Sequence, residues 1–224
     1  MLHFDVECRV PGHGDIFPLR NRRKLLKAEL LFDDIANRRE VLRHYFEIGD
    51  LLREQVRHAA LLSVDVVNSH GLKKNEDQLN IEFSFGEFHR MVERSGIQHK
   101  MVLYTWAGDG AMCLFPTVEL ALSTAGSILE ALPAFNKTVS RLRHPFKLRM
   151  GIHSGDIPLG EKMEEIFCEV VDVCGHVQKA AAENRVWLSE EAYSELTEPP
   201  KCEKMSQTVD GHAIWEMVFP ESNV

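Results

Sequence analysis

The sequence predicts an α+β fold, a ferredoxin-like βαββαβ sandwich with a helical extension at its N-terminus. Three observations lead to it. The run Ala59-Ala60-Leu61-Leu62-Ser63-Val64 is apolar and short and stops at Asp65, as a buried strand would. Two further apolar runs flank Ala107-Gly108-Asp109-Gly110, and Asp-Gly between such runs is a strong hairpin signal. Amphipathic helical stretches stand on either side of that hairpin, which completes the order strand, helix, hairpin, helix, strand.

The elements follow in chain order. The first twenty residues hold Pro11, Gly12, Gly14 and Pro18 and read as an irregular arm. Over 19–56, Leu26, Leu30, Ile35, Leu42, Tyr45, Phe46, Leu52 and Val56 recur at helical spacings, interleaved with charge. Gly49-Asp50 is expected to split this stretch into two helices, with Asp50 capping the second. The basic cluster Arg20, Arg22, Arg23, Lys24 and Lys27 reads as a solvated helix start. The expected division is 1–57 as arm and helices and 58–224 as the main domain.

After the first strand, 82–95 is predicted helical, with Phe85, Phe88, Met91 and Val92 on one side. The hairpin strands are 101–106 and 111–115. A long helix over 118–139 is expected to bend or break at Pro133. Alternation of Phe146, Leu148, Met150 and Ile152 predicts a half-buried strand over 146–153. A helix over 172–183 and a strand over 185–188 follow. Ser189 then caps a short helix with Glu190-Glu191 in its first turn, where carboxylates suit the dipole. Strands near 203–209 and 212–218 meet at Asp210-Gly211. No internal repeat is present.

Composition narrows the function. A chain of 224 residues can bury a core without staples. Its formal net charge of −8 argues against a nucleic-acid polymer as partner, and it requires local positive charge for any anionic ligand. The cysteines number 5, an odd count without CxxC spacing, so reduced thiols and a cytoplasmic location are expected. No signal-like start and no apolar run of membrane-spanning length is seen, so no membrane span is expected. HExxH, P-loop, GxGxxG and GxSxG patterns are all missing.

Two aspartates stand out by placement. In a ferredoxin-like sheet the first strand lies beside the hairpin, so Asp65 at its end and Asp109 at the hairpin tip can converge on one edge. Two carboxylates without cysteine or histidine partners suit a hard divalent ion, Mg²⁺ or Mn²⁺, the equipment of phosphoryl transfer. Either aspartate alone is weak evidence, because Asp is common in turns and at strand ends. Their weight comes from the conjunction with Arg149-Met150-Gly151-Ile152-His153-Ser154-Gly155.

With Leu62-Ser63-Val64-Asp65-Val66-Val67, Ala107-Gly108-Asp109-Gly110-Ala111-Met112, Leu148 to Gly155, and Val170-Val171-Asp172-Val173 running on to Gln178-Lys179-Ala180-Ala181, the sequence resembles a class III nucleotide cyclase domain over roughly residues 58 to 219. The four segments stand in the family's order and spacing. The resemblance implies a head-to-tail homodimer with active sites at the interface. It implies Asp65 and Asp109 as ligands of two Mn²⁺ or Mg²⁺ ions, with the backbone carbonyl of Val66. It also implies attack of a ribose 3′-oxygen on the α-phosphate with release of pyrophosphate. The turn through Val66, Asn68 and Ser69 would offer backbone N–H groups to the phosphates.

The departures from the family's pattern concern the base. Thr105 stands where a purine-selecting lysine is usual, and Glu165 aligns with that lysine's carboxylate partner. Asp172 aligns with the transition-state asparagine and His176 with the arginine four residues on. Rewritten base-selecting positions, compact size and a helical extension resemble the small pyrimidine cyclases of bacterial Pycsar anti-phage systems. Those make cyclic UMP or cyclic CMP, which activates a separate effector. UTP is therefore expected as substrate ahead of CTP, on family frequency alone. An adenylate or guanylate cyclase with unusual base contacts, and a catalytically silent cyclase-like dimerisation module, stay open at this point.

Overall fold

The computed structural model describes residues 38–160 and 162–218. The expected arm, the basic cluster and the earlier part of the first helical stretch lie outside the described residues.

Helix α1, Arg38–Arg53, runs unbroken through Gly49-Asp50. This corrects the expected split: one helical glycine costs only about 1 kcal/mol relative to alanine, and Asp50 caps nothing. Its carboxylate instead accepts from the Arg53 guanidinium at 2.5 Å. Val41, Leu42, Tyr45, Phe46 and Leu52 are exposed on this helix. Val56, read as helical, opens β1 (Val56–Val66). The remaining elements are α2 (Ser69–Lys73), α3 (Gln78–Gln98), β2 (Leu103–Ala107), β3 (Gly110–Phe115), α4 (Val118–Thr138), β4 (Leu148–Pro158), a 3₁₀ turn (Met163–Glu165), α5 (Glu169–Ala180), β5 (Arg185–Ser189), α6 (Glu190–Glu195), β6 (Cys202–Val209) and β7 (His212–Met217).

One seven-stranded sheet has the order β2-β3-β1-β4-β5-β7-β6. Its first four strands are the ferredoxin-like unit, antiparallel throughout. β5 joins β4 in parallel, and the β6–β7 hairpin extends the sheet beyond it. That hairpin turns at Asp210-Gly211, both at positive φ (50° and 89°), as a two-residue turn of this hand requires. α4 passes through Pro133 without the interruption that was one of the two expected outcomes there. By length and composition α4 could also cross a bilayer. Here its Val118, Ala121, Leu122, Ala125, Ile128, Leu132 and Phe135 are buried in the core.

Strand alternation assigns the two faces. Ala60, Leu62, Val64 and Val66 of β1 turn toward α3 and α4, where Phe85, Phe88, Phe135 and Phe146 form the centre of the main core. The Phe88 and Phe146 rings stack at 5.3 Å, and Phe135 meets Phe146 edge-on at 5.3 Å. The opposite face carries Leu61, Ser63 and Asp65, with α5 and the 3₁₀ turn laid over part of it. α5 comes this close because residue 151 is glycine: a Cβ there would lie 2.3 Å from the Gln178 backbone nitrogen. Cys174 of α5 is sealed against the sheet, and burial pushes its thiol up to about 12, so it is inert.

Candidate active site

β1 finishes beside the tip of the β2–β3 hairpin. Val64 pairs with Ala111, which brings Asp65 level with Gly110. Ala107 pairs with Gly110, so the turn residues are Gly108-Asp109, one step back from the expected Asp-Gly centre. Gly108 has φ +67°, the conformation that glycine supplies at the first central position of such a turn. Gly110 lies against the Asp65 carboxylate, where a Cβ would stand 3.4 Å from Oδ1, an ordinary contact distance.

Burial pushes the Asp65 carboxyl up, and the charge of Asp109 pushes it further. Arg149 and the Val66 N–H act in the opposite direction. Arg149 lies directly across the β1–β4 ladder from Asp65, and its Nε is buried without a hydrogen-bond partner. Two carboxylates that sense each other's charge, a glycine beside them and no thiol or imidazole ligand make a donor set that fits a hard divalent cation. Among the described residues no three His, Cys, Asp or Glu side chains converge as a metal-binding group. The rest of such an ion's shell would come from backbone, water or substrate oxygen, the usual habit of Mg²⁺.

The turn after Asp65 is partly committed. The Val66 amide serves Asp65, and the Val67 amide donates to the Lys147 carbonyl at 2.8 Å. Asn68 sits at φ 50° and its side-chain oxygen accepts from the Gly71 amide at 3.2 Å. Asn68 and Ser69 thus head α2, whose first N–H groups have no helical acceptor.

A second group gathers elsewhere. A cleft of about 570 Å³ is lined by Thr105 and Met112 of the hairpin, by Met163, Glu164, Ile166 and Phe167 after β4, and by Cys168, Glu169, Val171 and Asp172 at the start of α5. Neither Asp65 nor Asp109 lines it. The Thr105 hydroxyl donates to Glu164 Oε1 at 2.7 Å. Glu165, the expected partner, packs instead beside Gly160, where a Cβ would lie 3.1 Å from the Glu165 Cβ. Phe167 is 85% exposed at the cleft. His176 stands one turn after Asp172 on α5, and its Nδ1 lies 2.6 Å from Asp210 Oδ2 at the β6–β7 turn.

The structure therefore joins Asp65 with Asp109, and Thr105 with Asp172, in two separate groups. Glu164, Phe167 and Arg149 were not singled out from sequence. The 3₁₀ turn carries no periodic signal that would select Glu164 over Glu165. Arg149 was legible, because it falls between Leu148 and Met150 in an alternating strand and must point to the opposite face.

No family model matches the chain, and no curated protein matches it. Solved structures do. The adenylyl cyclase CyaB from P. aeruginosa superposes with a TM-score of 0.66 at 15% identity, over 75% of this chain and 98% of that one. The guanylate cyclase domain of RhGC from Catenaria anguillulae, solved in complex with GTP, gives 0.62 at 12% identity, over 72% and 96%. An adenylate/guanylate cyclase/hydrolase from Silicibacter pomeroyi gives 0.60 at 20% identity, over 74% and 98%. The chain has the fold of adenylyl and guanylyl cyclase domains.

Proposed function

We propose that the chain is a nucleotide cyclase that converts a pyrimidine nucleoside triphosphate, UTP ahead of CTP, to its 3′,5′-cyclic monophosphate and pyrophosphate. The observation that carries this reading is the pairing of Asp65 with Asp109 at the end of β1 within a cyclase fold. A silent module gains nothing from two carboxylates that repel each other. Asp65, Asp109 and the Val66 carbonyl would hold two Mn²⁺ or Mg²⁺ ions. Bound there, such ions promote attack by the 3′-oxygen and neutralise phosphate charge. The 3′-oxygen bonds to the α-phosphorus, the bond from that phosphorus to the bridging β-phosphate oxygen breaks to release pyrophosphate, and the 3′-hydroxyl proton passes to water. The amides of Asn68 and Ser69 would face the phosphates.

Thr105 with Glu164 or Glu165 would read the base. A threonine cannot supply the cation of the lysine usual at its position, and with its one hydroxyl proton given to the Glu164 carboxylate this pair offers only acceptors to a base edge. Asp172 and His176 would approach ribose and phosphate, with His176 oriented by Asp210. The two groups serve one substrate if they come from different protomers of a homodimer. The exposed apolar face of α1 supports association of that kind. The expected setting is cytoplasmic, with the cyclic product acting on a separate effector in anti-phage defence.

The test is incubation of the purified protein with Mn²⁺ and each of ATP, GTP, CTP and UTP, with products identified by mass spectrometry. Cyclic UMP or cyclic CMP is expected. A cyclic purine would move the reading to an adenylate or guanylate cyclase. No product from any nucleotide would leave a silent dimerisation module.

A further inference from the structure

α3 clamps one residue of the β2–β3 hairpin from three directions. Trp106 stands three residues before Asp109 on β2. The His89 ring lies flat on its indole, with centroids 3.6 Å apart and planes 13° from parallel. Phe88 meets the same indole edge-on at 6.1 Å. One helical turn past His89, Glu93 Oε1 accepts from the indole N–H at 3.1 Å. His89 Nε2 is buried and has no hydrogen-bond partner. Buried polar atoms are nearly always satisfied, so an orphan of this kind calls for an explanation.

The shape of the ring supplies one. A leucine at 89 would fill the space but offer no flat surface. The stack fixes the plane of Trp106, and the β2–β3 ladder carries that constraint through Ala107 and Gly110 to the tip. We infer that His89 is a positioning residue for Asp109, which acts through its stack on Trp106 to hold the hairpin tip where its carboxylate meets Asp65. Burial lowers the His89 imidazole, the charge of Asp109 opposes that lowering and Lys73 adds to it, so the stacked ring lies within electrostatic reach of the Asp109 carboxylate. This inference rests on the reading of Asp109 as a metal ligand, and groups behind a ligand typically change metal affinity by about 10–100-fold.

The test measures Mn²⁺ binding to the full chain without nucleotide, by loss of the free-ion electron paramagnetic resonance signal. Asp109→Ala is expected to remove tight binding, His89→Ala to weaken it about tenfold, and His89→Phe, which keeps a flat ring, to stay within about threefold of the parent. Parent-like binding by His89→Ala beside loss in Asp109→Ala would overturn the positioning role and leave the metal reading standing. Unchanged binding in Asp109→Ala would overturn the metal reading itself. Equal weakening in His89→Ala and His89→Phe would overturn the stack as the cause.

Discussion

At the scale of single residues, Asp65 is held where folding opposes its charge. Burial and the neighbouring Asp109 raise its carboxyl above the ordinary aspartate value. An acid whose folded value lies above its unfolded value contributes stability at low pH and loses it as pH rises through the folded value. At neutral pH the metal-free protein therefore carries an electrostatic penalty at this position. Asp65→Asn should raise the melting temperature in chelator at pH 7 and lower cyclic-nucleotide production by about two orders of magnitude, equivalent to about 2.7 kcal/mol of transition-state stabilisation. Mn²⁺ should raise the melting temperature of the parent and have little effect on the variant. A variant melting below the parent in chelator would contradict the penalty, and parent-like turnover would contradict the role. Asp65 was legible in the sequence because a charged residue directly after a buried apolar run has few places to go. The bond from Thr105 to Glu164 was not legible, because it depends on how a short 3₁₀ turn closes over the hairpin.

At the scale of elements, the far half of the β1–β4 ladder holds two histidines of opposite behaviour. His153 is 5% exposed, with Nδ1 2.7 Å from Ser189 Oγ. Burial pushes its imidazole down, against the pull of Glu191, with His212 adding to the lowering and Glu169 and Glu195 opposing it. Such a group stays neutral in the fold and destabilises it as pH falls below the unfolded value near 6.5. His58 on β1 contacts Glu195 at 2.8 Å and Asp156 at 3.1 Å. The Glu195 bond pushes it up, against burial and with help from Asp156, so its contribution is present at low pH and lost as pH rises through its folded value. Between about pH 7.5 and 5.5, where histidines titrate, His153→Gln should shrink the acid-induced drop in melting temperature and His58→Gln should enlarge it. Thermal melts across that range check both signs, and a change of the same sign in the two variants would refute the assignment. Sequence reading ended this strand at His153 because Ser154-Gly155-Asp156 breaks the alternation. The backbone continues to Pro158 because β1 offers partners as far back as Val56. Pairing, which is not local, overrode the pattern there. The same reasoning applies at Gly49 and Pro133, where helices outlast residues that disfavour them.

At the scale of the molecule, the ferredoxin-like order was readable because strand, helix, hairpin, helix and strand follow one another in one recognisable sequence of elements. The extension to seven strands was not, since the patterns of the last three strands do not say which edge of the sheet they join, and β5 lies parallel beside β4. The same limit hides the complete site. One chain places Asp65 and Asp109 at the hairpin tip and Thr105, Glu164 and Asp172 in a cleft that neither aspartate lines. In a two-fold dimer the same surface is used twice, so each of two equivalent sites can take its carboxylate pair from one protomer and its cleft from the other. This arrangement has a quantitative consequence. Let Asp109→Ala inactivate the metal half and Asp172→Ala the cleft half, with each variant inactive alone. In a mixed dimer one site inherits both defects and the other inherits neither. Random exchange of equal amounts makes about half the dimers mixed, each with one intact site of two, so activity should recover to about one quarter of the parent. Measured product formation after co-refolding the two variants gives the answer. Recovery near that value requires shared sites. A mixture as inactive as its components, with dimers present by light scattering, would mean that each chain builds its site alone, and the separation of the aspartates from the cleft would then have to close within one protomer.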